Sequence, residues 1–121
     1  MRAGAIVRVG GVLSFLPTEA VRRFMSPPPI SDVSGTGLTM ALVDGQVLAV
    51  VCIGERGACL AVCHVGSELV GLLGAHPVDV GFFESEGAGV MYRGQKATPL
   101  DVSEVVREAV LGSRERQEVE A

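Results

Sequence analysis

A chain of 121 residues has the size of one domain and buries roughly two-thirds of its unfolded surface, so it needs no cofactor to fold. Hydrophobic residues make up 48% of it. Even so, the longest stretches without Asp, Glu, Lys or Arg, residues 33–43 and 57–67, fall far short of the ~20 residues that cross a bilayer. A net charge of −4, scattered basic residues, no Trp and a single Tyr argue against nucleic acid, and an N-terminus interrupted by Arg2 and Arg8 lacks the pattern of a signal peptide, so the expected location is the cytoplasm.

Along the chain, Val, Leu and Ile fall in short runs closed by Gly, Asp or small polar residues, the rhythm of an all-β protein. The runs predict strands over residues 5–9, 12–16, 38–43, 46–53, 58–65, 69–74, 78–83, 90–92 and 96–100. Asp44-Gly45 is a strong hairpin signal, because a two-residue turn needs positive φ; Gly10-Gly11, Gly66-Ser67 and Arg93-Gly94 suggest three more. The 16 glycines suit tightly coiled barrels, whose corners bring backbones close together.

Two helices are expected. Residues 17–25, PTEAVRRFM, start like a helix and would place Val21, Phe24 and Met25 on one face before SPPPI stops it. Near the C-terminus, Asp101 with Glu104 resembles a capping box, followed by Val102, Val105, Val106, Ala109 and Val110 at helical spacing. Gly112 is expected to end this helix, leaving residues 113–121 as a charged, solvated tail or frayed helical extension beyond a domain of residues 1–112.

CIGERGACLAVCH holds all three cysteines and one of the two histidines. If residues 54–57 form a hairpin tip, Cys52 faces Cys59 at cross-strand distance, Cys63 lies about 13 Å further along, and His64 points to the other face. That geometry gives zinc no common centre and favours thiols packed inside a sheet, with a regulatory Cys52–Cys59 disulfide as the alternative. Ser34 in its glycine-rich loop, His64, His76 and the pair Glu84 and Glu86 lack the context of a nucleophile or an acid–base pair. The expectation is a binding protein without catalysis, cofactor or metal.

The order of elements then resembles a known family. VLSFLPTEAVRRFM, PPPISDVSGTGLTMALVDGQVLAVVCIG, ACLAVCHVGSELVGLLGAHPVDVGFF and VMYRGQKATPLDVSEVV are similar, in that order, to the strands, X-Gly hairpins and closing Leu-Asp helix start of the CheW family, bacterial chemosensory adaptors. The resemblance runs from about Ile6 to Leu111. It implies a mainly β fold of two small, five-stranded, SH3-like barrels with a hydrophobic groove between them, one short helix and one C-terminal helix. It also implies an adaptor that couples methyl-accepting receptors to a CheA-like histidine kinase by binding alone. Independently of the resemblance, an exposed strand edge would allow self-association. On that resemblance the partner-interface residues are Val21, Phe24 and Met25 near the groove, and Asp44, which stands where the family often has Arg and so would redefine the partner. A sensor of small ligands or redox state, using the groove and Cys52/Cys59, is the alternative from another class.

Overall fold

The structure is a computed structural model that describes residues 1–32, 39–55, 57 and 59–120, with the side chains from 113 onward excepted. Its strands are β1 (Arg2–Val9), β2 (Val12–Pro17), β3 (Val21–Met25), β4 (Ile30–Asp32), β5 (Thr39–Val43), β6 (Gln46–Cys52), β7 (Leu60–Val65), β8 (Glu68–Leu73), β9 (His76–Glu86), β10 (Gly89–Tyr92) and β11 (Gln95–Pro99), followed by helix α1 (Val102–Glu120). All nine expected strands are present. β1, β2, β11, β10 and β9 close into a five-stranded barrel, and the other six form a sheet in the order β3-β7-β8-β6-β5-β4. The barrel is therefore built from the two ends of the chain, and the sheet is the segment inserted between β2 and β9.

Three clusters of side chains explain the apolar runs. Inside the barrel lie Ile6, Phe15, Val90 and Ala97. Ala41, Val43, Leu48, Val50, Leu60, Val62 and Leu73 fill the second unit, where Met25 of β3 and Ile30 of β4 pack against the same cluster, so the two end strands of the sheet curl towards each other. Between the units sits a third cluster with Ala5, Val7, Leu16, Ala61, Cys63, Val70, Leu72 and Val102. Because successive residues of a strand point to opposite faces, β1 gives Ile6 to the barrel and Ala5 and Val7 to the central cluster, while β7 gives Leu60 and Val62 to the sheet and Ala61 and Cys63 to the centre. Strands buried on both faces have no polar alternation, hence the continuous runs AIV and LAVC.

The turns follow the reading of the sequence. Val43 pairs with Gln46 across Asp44 (φ 51°) and Gly45 (φ 78°), and two more two-residue turns with positive φ at both positions lie at Gly10-Gly11 and Arg93-Gly94. Gly66-Ser67 joins β7 to β8, with Val65 paired to Glu68.

Four expectations are corrected. Residues 17–25 form no helix: Ala20 N–H closes a turn onto the Pro17 carbonyl, and Val21–Met25 runs as β3 antiparallel to β7. A helix this short is marginal alone, whereas a ladder with β7 satisfies the same backbone and buries Val21 and Phe24 against the central cluster. β4 pairs with β5 in a proline-rich stretch where no strand was expected, its Ile30 anchored in the second cluster.

β6 and β7 do not form a hairpin, because β8 lies between them, parallel to β6 and antiparallel to β7. The connection from β6 to β7 crosses the end of β8, where a Cβ on Gly74 (φ +105°) would come within 2.5 Å of the Gly54 backbone. Only glycines let the two segments touch there. Finally, α1 runs through Gly112 to Glu120.

Candidate functional site

Where the barrel and the sheet meet, the central cluster fills the interior but leaves a groove at the surface. β3 supplies Val21 and Phe24 to one wall, β1 supplies Gly4 and Ala5 to the floor, and β9 supplies Val80 to the other wall, enclosing about 240 Å³ together with Thr18, Arg22 and Arg23. Val80 and Phe82 follow at period two on β9 and are 70% and 72% exposed. Their ladder partners are Ala5 and Ala3, too small to cover them. The groove thus presents an apolar floor and wall with a cationic rim from two exposed arginines, Arg22 and Arg23. An apolar ridge of this kind can be buried at ~25 cal/mol per Å², and acidic side chains placed beside it would meet the arginines.

Of the residues singled out in the sequence, Val21 and Phe24 do lie in this groove, half-buried against the central cluster. Met25 does not share their face. In a strand it alternates away from Phe24 and packs with the second cluster, and its sulfur accepts a 3.6 Å contact from the Arg23 guanidinium. Asp44, at the tip of the β5–β6 hairpin, forms a 2.9 Å ion pair with Arg23, and its own side chain is 72% exposed. The acid at the hairpin tip is therefore matched within the chain and connects to the groove through Arg23. Val80, Phe82, Arg22 and Arg23 were not singled out; the alternation Val78-x-Val80-x-Phe82 was the available signal, but it does not say which face stays open.

The cysteines also separate. Cys52 is exposed and donates to the Gly54 carbonyl at 3.1 Å, Cys59 is half-buried, and Cys63 alone belongs to the core. Burial pushes the Cys63 thiol up to about 12. With β8 between β6 and β7, Cys52 and Cys59 are two strand spacings apart, ~9.6 Å, beyond the ~7 Å that a disulfide bridges. The expected Cys52–Cys59 pair, and the redox sensor built on it, fall with that register. His64 points outward from β7, and Glu84 and Glu86 are exposed on β9. Ser34 lies outside the described residues.

No family model matches the chain, and no curated protein matches its sequence. Among solved structures it is similar to the crystal structure of scaffolding protein TtCheW from Thermoanaerobacter tengcongensis, with a TM-score of 0.63 and 12% identity, over 84% of this chain and 90% of that chain. At that identity the likeness is one of fold: a closed five-stranded barrel beside a second sheet, with one helix, in the CheW manner.

Proposed function

We propose that the chain is a non-catalytic adaptor of a bacterial chemosensory pathway, acting in the cytoplasm by protein–protein binding. It would link a CheA-like histidine kinase to methyl-accepting receptors. The observation that carries this reading is the open groove between two β units, in a fold shared with a scaffolding protein. Exposed Val80 and Phe82 are the kind of large apolar side chains that bury at a protein interface, and the exposed Arg22 beside the groove suits an acidic helical partner. Among the described residues no helix is long and apolar enough to cross a membrane.

The test is direct binding of the purified chain to a CheA-like regulatory domain and to a receptor's cytoplasmic helical hairpin. Val80→Asp or Phe82→Ala should weaken at least one of these complexes by about tenfold or more, since a central apolar anchor is worth more than ~1 kcal/mol. Asp44→Arg would free Arg23 and add a second cation, strengthening an acidic partner's association at low salt. Failure of both partners to bind the unmodified chain ends the proposal.

A further inference from the structure

At the end of the molecule opposed to the hairpin of Asp44, the crossing that separates Cys59 from Cys52 brings Cys59 to a histidine 17 residues away. Cys59 precedes β7, and its carbonyl accepts the Gly74 N–H at 3.0 Å, which fixes it beside the end of β8. Two residues after Gly74, His76 opens β9, and its Nδ1 lies 3.9 Å from the Cys59 sulfur. His76 also lines a cavity of about 420 Å³ with Arg8, Glu55 and four glycines. Arg8 is the ladder partner of His76 on β1. A half-buried thiol next to an imidazole that itself lines a cavity with Arg8 is an arrangement neither Cys52 nor Cys63 has: Cys52 donates to a carbonyl and Cys63 is sealed in the core.

We propose that Cys59 and His76 form a peroxide-reactive thiol site. In the neutral imidazole with its proton on Nε2, Nδ1 accepts the thiol proton as the sulfur attacks one peroxide oxygen. An S–O bond forms and the O–O bond breaks; the sulfur loses two electrons, the peroxide gains them, and the proton passes from His76 to the departing oxygen, giving sulfenic acid and water. Cys52 lies across β8 and Cys63 is buried, so the sulfenic acid has no protein thiol to condense with. Its reaction partner is a small thiol of the glutathione class, which attacks the half-buried Cys59 sulfur to form a mixed disulfide with loss of water. This site is separate from the groove and needs no docked partner.

The experiment treats the full chain with hydrogen peroxide and a dimedone trap, and follows each cysteine by peptide mass spectrometry. Cys59 should be labelled faster than the more exposed Cys52, the reverse of the order that exposure alone would give. His76→Gln should slow Cys59 by about tenfold or more, the lower end of what a positioned base supplies, and leave Cys52 unchanged. Protection of Cys63 reports that the variant is folded, and His76→Asn replaces it should Cys63 become labelled. Labelling of Cys52 as fast as Cys59 in the unmodified chain, which needs no variant, overturns the site. So does a folded His76 variant in which Cys59 keeps its rate.

Discussion

Cys63 illustrates what burial does to a single side chain. It sits in the central cluster with no exposed surface, and the cost of ionising a thiolate there raises it from 9.0 to about 12. Unfolding returns the thiol to its ordinary value, so above pH 9 the unfolded chain loses a proton that the folded chain keeps. Stability is fully present below that value and falls as pH rises towards 12, by up to ~1.4 kcal/mol per unit. Denaturation of the unmodified chain and of Cys63→Ala between about pH 8 and 11 should show the difference between them shrinking as pH rises, because only the former loses stability through this thiol. A difference independent of pH would refute the assignment. The spacing of the three cysteines was legible in the sequence, but their fates were not. Exposure at Cys52, contact with His76 at Cys59 and enclosure at Cys63 all depend on which strands lie beside β7 and β8, and the Cys59–His76 contact spans 17 residues of chain.

Elements joined by a tight turn could be read directly, because Asp44-Gly45, Gly10-Gly11 and Arg93-Gly94 fix both the turn and the register of the strands they join. Pairings between distant segments left no such mark. The parallel pairs β6–β8 and β11–β2 have no local turn to announce them, and β3 carries a helix-like composition that its ladder with β7 overrides. The C-terminal helix was legible because its start is chemical: Asp101 Oδ1 accepts the Glu104 N–H at 3.1 Å, and Val102, 4% exposed, inserts into the central cluster directly after the cap. Asp101→Ala should therefore lower stability by about 1 kcal/mol, while Asp101→Asn, whose amide oxygen accepts the same bond, should cost little. Thermal unfolding of the two variants checks this; equal losses would mean that the carboxylate charge, not the cap, is what matters. The far end of α1 was misjudged because Gly112 only weakens a helix, by ~1 kcal/mol relative to Ala, and does not by itself stop one.

At the scale of the molecule, the nested topology makes the central cluster the common wall of both units. β1 and β2 present one face to the barrel interior and the other to that cluster, and β7 and β8 do the same for the sheet. Neither unit can unfold without exposing Ala5, Val7 and Leu16 on one side or Ala61, Cys63 and Leu72 on the other, so each depends on its neighbour for burial of a full sheet face. The barrel, moreover, exists only when β1 and β2 from the start of the chain meet β9–β11 from near its end, around the inserted sheet. The whole should melt as one cooperative unit despite its two-part shape. Three probes at three depths test this: fluorescence of Tyr92 in the barrel, labelling of Cys63 in the central cluster, and amide exchange of Leu48 and Val50 in the second unit. Coincident transitions in denaturant are expected; loss of the Leu48 and Val50 protection at a denaturant concentration that leaves Tyr92 native would show that the sheet opens alone and that the shared cluster does not couple the units.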